Sequence, residues 1–177
     1  MRLLITGVPG CGKTVLAEKI SKALKAKHVG VNEIVAKSRI YSVSKRKEKL
    51  VDVEKLERIL RAVLGKEKNS VVESHLLCEM SLPCDRIIVL RCNPLVLKKR
   101  LEKRGYPAWK LRENVLAEML DYCAIRAGEN YAKDKIVEID FTKPLPAKAV
   151  LKKKKSDSVD WMREFGVLER EIKGFLE

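Results

Sequence analysis

The sequence predicts an α/β domain in which a central five-stranded parallel sheet is flanked by helices. Three observations predict it. Short apolar runs alternate along the 177 residues with stretches whose apolar side chains recur every three or four positions. The first run, Leu3-Leu4-Ile5, leads directly into the octapeptide Gly7-Val8-Pro9-Gly10-Cys11-Gly12-Lys13-Thr14. An amphipathic helical pattern starts at once behind it, and strand–helix–strand succession of this kind builds parallel sheets.

Residues 2–6 read as the first strand, and from Lys13 the positions Leu16, Ile20, Ala23 and Leu24 share one helical face. His28 to Val31 reads as a second strand, with Asn32 as the cap of a helix carrying Ile34 and Val35. Residues 38–51 are polar and basic. Leu56, Ile59, Leu60, Val63 and Leu64 mark another helix, ending near Gly65. Ser70-Val71-Val72-Glu73 is a short buried strand and Arg86–Arg91 the next. Asn93-Pro94 supplies a side-chain cap and a proline first turn for a helix with Leu95, Leu97 and Leu101 on its buried side. It stops at Gly105. Pro107 restarts a helix through Leu111, Val115, Met119 and Tyr122, and Ile136–Ile139 is a last strand. Residues 143–155 read as a connection, and the stripe Trp161, Phe165, Leu168, Ile172 and Phe175 reads as core packing.

The glycine-rich octapeptide carries the chemistry. In such a loop successive backbone N–H groups point inward at phosphate oxygens, which requires glycine wherever a Cβ would block the approach. Lys13 adds a point charge for the β- and γ-phosphates and Thr14 a hydroxyl for Mg²⁺. The residues expected to bind ATP are therefore Gly7, Pro9, Gly10, Cys11, Gly12, Lys13, Thr14 and Val15. Together these mark the chain as a P-loop NTPase.

Composition narrows the classes. One domain is expected from the length, and no run of 18 apolar residues or signal-like leader appears, so a cytoplasmic, membrane-free protein is expected. Cys11, Cys78, Cys84, Cys92 and Cys123 lack paired spacing and read as free thiols instead of zinc ligands. Thirty-eight Lys and Arg against 24 acids give a net charge of +14, concentrated at 22–50, 96–112 and 143–155. Such surfaces attract phosphate, whether of a nucleotide or an RNA backbone, although a Lys- and Glu-rich solvated face would look the same.

Three further features carry a resemblance: Leu90-Arg91-Cys92-Asn93-Pro94 with Leu97, Arg100, Leu101, Arg104-Gly105-Tyr106 and Glu113-Asn114; Val71-Val72-Glu73-Ser74-His75 at the end of the third strand; and the small size. The chain resembles, over nearly its whole length, the adenylate-kinase-like family of eukaryotic isoenzyme 6 and its archaeal counterparts. That resemblance implies a nucleoside-monophosphate-kinase type of P-loop fold with a monophosphate-binding segment at about 30–53 and a short lid at about 103–113. It implies transfer of phosphate from ATP·Mg²⁺ to AMP or another monophosphate, ATPase activity, and a role in small-ribosomal-subunit assembly with ribosomal protein uS11 and rRNA as partners. Glu73 stands where the family has Asp, and its longer carboxylate reaches Mg²⁺ through a water. His75 becomes a candidate for orienting water or the γ-phosphate. Lys143-Pro144 resembles the segment beside the adenine.

The chemistry of phosphoryl transfer asks for cations on the moving group and exclusion of water. Arg104 is the arginine best placed to act as a lid cation. Arg100, four residues earlier on the same face, and Arg112 are alternatives whose competing role is surface pairing with Glu102, Glu113 or Glu118. The expected catalytic set is Lys13, Glu73, His75 and Arg104, with Thr14 and Glu73 toward the metal. For the acceptor phosphate the divergent segment offers Lys37 or Arg39, and the sequence does not choose between them. A small-molecule kinase of the shikimate kinase type shares the loop, but the Arg104-Gly105-Tyr106 lid argues against it.

Overall fold

Apolar runs without alternation must be covered on both faces, and the three central strands of this sheet are. Leu3, Leu4, Ile5, Val71, Val72 and Ile87–Leu90 are all fully buried. The computed structural model describes residues 1–46 and 48–163. In chain order the elements are β1 (Arg2–Thr6), α1 (Lys13–Leu24), β2 (Lys27–Gly30), α2 (Val31–Ser38), β3 (Tyr41–Val43), β4 (Lys49–Val51), α3 (Val53–Lys66), β5 (Ser70–Glu73), β6 (Arg86–Arg91), α4 (Pro94–Lys103), α5 (Ala108–Met119), α6 (Tyr122–Asn130), β7 (Ile136–Asp140) and α7 (Ala147–Lys152). A 3₁₀ turn at His75–Glu79 follows β5.

The main sheet is parallel throughout, in the order β2-β5-β1-β6-β7, as the alternation of strands and helices predicted. β1 is central. Its register sets Ile5 beside Glu73 of β5 and Thr6 beside Val89 of β6, so the chain leaving β1 emerges between the carboxyl ends of two neighbours. Ligands of open α/β sheets bind at such an edge.

Local chemistry explains most boundaries. Asn93 caps α4, its Oδ1 accepting from Leu95 N at 3.0 Å and Val96 N at 3.4 Å, with Pro94 in the first turn. Gly105, at φ +68°, ends that helix's run as expected. Asp52 caps α3 through Lys55 N at 3.0 Å.

Other expectations give way to tertiary context. Val31 opens α2 instead of closing β2, and Gly30, not Asn32, is the cap, which leaves Asn32 inside the helix. Gly65 lies within the last turn of α3, whose cap is Glu67. Ala17, not Ala23, completes the buried face of α1, because the helix packs against β5 and α7 from that side. Within the polar stretch, Tyr41–Val43 and Lys49–Val51 pair as an antiparallel β3–β4 hairpin. The helix after Pro107 breaks at Asp121, a left-handed residue at φ +54°, so Tyr122 begins α6. The connection at 143–155 contains α7. Trp161 is buried; Phe165, Leu168, Ile172 and Phe175 lie outside the described residues.

Gly7 shows how tightly the loop is held. At φ +134°, a Cβ here would lie 2.4 Å from the carbonyl oxygen of Leu90 in β6. Gly7→Ala is expected to cost at least about 1–3 kcal/mol through the backbone conformation alone. Thermal or urea unfolding checks this, and an unchanged midpoint would show that the loop can shift to accept a side chain.

Candidate active site

The loop between β1 and α1 wraps the start of a helix whose first turn holds no acidic residue, so the positive end of its dipole is left for an anion. Gly7, Gly10 and Gly12 all adopt positive φ, which turns the intervening amides inward. Close packing holds the loop from outside: a Cβ on Gly10 would meet Leu97 and Leu101 of α4 at 2.8 and 2.9 Å. Cys11 is fully buried, its Sγ donating to Val8 O at 2.9 Å, and burial raises its pKa, so it stays a thiol that packs the loop's underside.

Lys13, only 8% exposed, extends back along the loop, where its Nζ donates to Gly7 O at 2.8 Å and Val8 O at 3.0 Å. On the adjacent strand Glu73 is equally buried, and its Oε1 accepts from Thr14 Oγ1 at 3.2 Å. A hydroxyl and a carboxylate side by side are hard oxygen donors of the kind Mg²⁺ takes. The two residues singled out for the metal thus lie side by side. No cluster of three or more His, Cys, Asp or Glu side chains of metal-binding geometry occurs among the described residues. A magnesium here would draw its remaining ligands from water and phosphate.

These groups open onto a cleft of about 800 Å³. Pro9, Gly10, Gly12, Lys13, Thr14 and Val15 line one side, with Glu73, Ser74, His75, Leu76 and Glu79 from the end of β5 and its 3₁₀ turn. Arg104, Tyr106, Lys110, Glu113 and Asn114 come from the α4–α5 junction and α5, and Asn32, Glu48 and Lys49 from α2 and the hairpin. All four expected catalytic residues, Lys13, Glu73, His75 and Arg104, therefore meet in one cleft. Gly7 and Cys11 shape the loop from beneath without lining it.

His75 is open to the cleft, yet the surrounding protein keeps it neutral. Its pKa falls to about 4, chiefly because its crowded position desolvates the imidazolium, and further because the charges of Lys13 and Lys110 oppose protonation; Glu79 pulls weakly the other way. A folded-state value below the unfolded one means that the unfolded chain takes up the proton first, so this residue's contribution to stability is lost as pH falls from about 6.5 toward 4. A two-histidine chain is convenient for ring NMR. The His75 resonances are expected to stay at neutral-form shifts down to about pH 5, and a midpoint near 6.5 would contradict the crowding.

Several cations do not reach the cleft. Arg100 turns toward the loops after β6 and β7, its Nη2 donating to Thr142 O at 2.6 Å and its Nη1 lying 3.3 Å from Cys92 Sγ. Lys143 is exposed next to that carbonyl and does not line the cleft, and neither do Lys37, Arg39 or Arg112. Among the described residues, the cations that line the cleft opposite the glycine loop on the hairpin and α5 are Lys49 and Lys110. Sequence reasoning missed both, because nothing local distinguishes them from other surface lysines.

Beneath the site Arg91, 2% exposed, ties β6 to three acids. Its guanidinium pairs with Glu118 at 2.9 Å, Glu138 at 2.8 Å and Asp121. Glu118 Oε1 also accepts from Cys92 N at 3.0 Å and Trp161 Nε1 at 2.9 Å. Burial pushes the Glu118 carboxyl above its ordinary range, against the opposing charge of Arg91. The network explains why an arginine follows an otherwise apolar strand: it fixes α5 and its junction with α6 to the sheet.

This is the architecture of a P-loop kinase. Shikimate kinase from Bacteroides thetaiotaomicron superposes with a TM-score of 0.58 at 16% identity, covering 96% of this chain and 98% of that one. A gluconokinase from Sinorhizobium meliloti gives 0.52 at 14% identity, over 98% and 94%. At such identities the likeness is one of fold. In sequence, residues 3–121 match the family model of an AAA domain. The "Putative adenylate kinase" of Methanocaldococcus jannaschii is 37% identical over 98% of this chain and all of that protein. Its namesake in Thermococcus onnurineus is 34% identical over 93% of each. The chain belongs to this family of archaeal kinase relatives carrying the AAA domain.

Proposed function

We propose that the protein is an adenylate kinase, moving the γ-phosphoryl group of ATP to AMP to give two ADP, with other nucleoside monophosphates accepted less strictly. The observation that carries this reading is the single cleft that joins the glycine loop, Lys13, Thr14 and Glu73 to a second cationic wall, Lys49 and Lys110, on the hairpin and α5. A donor site alone would need only the first half. The names of the archaeal relatives support the choice of acceptor.

In this reading the amides of Gly10 to Val15 hold the β- and γ-phosphates, Lys13 leaves its two carbonyl partners for the γ-oxygens, and Arg104 approaches from the lid at 103–113. Thr14 and Glu73 would hold Mg²⁺, which would supply charge compensation to the phosphate groups. The hairpin lies in the monophosphate-binding segment, 30–53, all within one kinase domain. Tyr106 and α5 exclude water around the moving group. A coupled assay with AMP, CMP, UMP and dAMP tests the reading. ADP formation that depends on no monophosphate would reject it.

His75 is the residue for a second, hydrolytic outcome. Neutral at physiological pH and beside the Lys13 charge, its imidazole is suited to orient water toward the γ-phosphate. His75→Ala is expected to lower ATP hydrolysis by about 10-fold or more while transfer to AMP falls much less. Equal losses in both assays would remove the water-orienting role.

The resemblance to isoenzyme 6 and the net charge of +14 support a cytoplasmic role in small-ribosomal-subunit assembly, with uS11 and rRNA as the partners and nucleotide state as the control. No helix among the described residues is long and apolar enough to cross a membrane. Pull-down from lysate in ATP and in ADP tests this role. Recovery of no ribosomal component in either state would reject it.

A further inference from the structure

Three contacts cross the mouth of the cleft. Lys110 Nζ on α5 donates to Glu48 Oε1 in the turn of the hairpin, just before β4, 2.9 Å away and 62 residues earlier in the chain. Arg46 lays its guanidinium over the Trp109 ring, 5.1 Å from the centroid, and its Nη1 is 3.9 Å from Glu113 Oε1. The Arg46–Glu113 pair is well exposed and contributes little. The Glu48–Lys110 pair differs in place. Both residues line the cleft, their side chains are only 27% and 36% exposed, and Lys110 stands close enough to His75 for its charge to act on the imidazole together with that of Lys13.

We infer that Lys110 binds the phosphate of the acceptor monophosphate, and that Glu48 is the carboxylate which Lys110 exchanges for that phosphate. The inference rests on the acceptor reading above and adds the residue that holds the acceptor. A flexible lysine is suited to such an exchange, because its compact ammonium can swing between two anions without the fixed fork geometry of an arginine. A phosphate monoester carries nearly two charges and three acceptor oxygens at neutral pH, so it outcompetes a single carboxylate for the same ammonium. Lys49, next to Glu48 and also on the cleft wall, supplies a second positive charge on the hairpin side. Until the acceptor arrives, Glu48 keeps Lys110 from leaving a lone, half-buried cation beside His75 and Lys13. When the acceptor displaces Glu48, the link between hairpin and α5 passes through the bound phosphate instead.

The two partners then have opposite effects, which a mere structural clasp would not produce. Lys110→Met is expected to raise the KM for AMP by about 10- to 100-fold, the worth of one hydrogen bond to a charged group. The KM for ATP should change less than about twofold, and Lys110→Arg should restore part of the loss. Glu48→Gln removes the competitor and is expected to lower the KM for AMP by about 3- to 10-fold. If both variants raise the AMP KM alike, or if Lys110→Met acts on ATP instead, the inference is overturned. Calorimetric titration of AMP onto each full-length variant separates this from the function itself. Should the wild type bind AMP without transferring phosphate, the kinase reading falls, and a tenfold weaker AMP affinity in Lys110→Met still upholds Lys110 as the ligand. Absence of AMP binding to the wild type would overturn both.

Discussion

Lys13→Ala is expected to lower phosphoryl transfer by about 10²- to 10³-fold or more, with the fold intact. Lys13 is the first residue of α1, where alanine is a good helix former, so the substitution keeps the helix start and gives up only the two bonds from Nζ to the loop carbonyls. What disappears is an ammonium that rests within 3.0 Å of two carbonyls of the phosphate loop and, in the proposed function, turns to the γ-oxygens as charge develops on them. A charge that meets the moving group as its own charge develops acts mainly on the transition state, so the loss should appear in kcat more than in KM. Steady-state kinetics with ATP and AMP, beside a melting curve, checks it. An unchanged kcat in a folded variant would mean that the loop is not the donor site.

The second large effect is on stability. Arg91→Leu strands Glu118, a carboxylate 2% exposed as a residue, without its cation, and weakens the hold on Asp121 and Glu138 at the same time. Removing one partner of a buried ion pair costs about 3–5 kcal/mol. In a chain of this length that is a fall in melting temperature of roughly 10 °C. The double variant Arg91→Leu/Glu118→Met should recover much of the loss, because the penalty comes from the uncompensated charge and not from the absence of the pair. Calorimetry of the single and double variants checks both parts. A single variant that melts with the wild type would show that the three acids find other partners.

Arg91 also marks the limit of reading a strand by its pattern. Leu90-Arg91-Cys92-Asn93-Pro94 is legible as a strand end followed by a capped helix, and both are present where expected. That the arginine turns inward to three carboxylates 27, 30 and 47 residues further along is not legible. The same holds for the lid arginines. Arg100 and Arg104 share a helical spacing, yet only Arg104 reaches the cleft, because the carbonyl of Thr142 comes near α4 and takes the Arg100 guanidinium.

What the sequence by itself determined is whatever a few adjacent residues decide through their own dihedrals and burial. The glycine loop with Lys13 and Thr14, the apolar runs of β1, β5 and β6, the Asn93-Pro94 helix start and the Gly105 stop belong to that class, since left-handed φ values, caps and continuous apolar runs are properties of local chain. The tertiary structure alone decided which charges meet. Thr14 with Glu73, Glu48 with Lys110, and Arg91 with its acids join residues from 27 to 62 positions apart. Coulomb attraction carries no preference for sequence distance, so only the packing of helices on a sheet of order β2-β5-β1-β6-β7 could select those pairs from 38 cations and 24 acids.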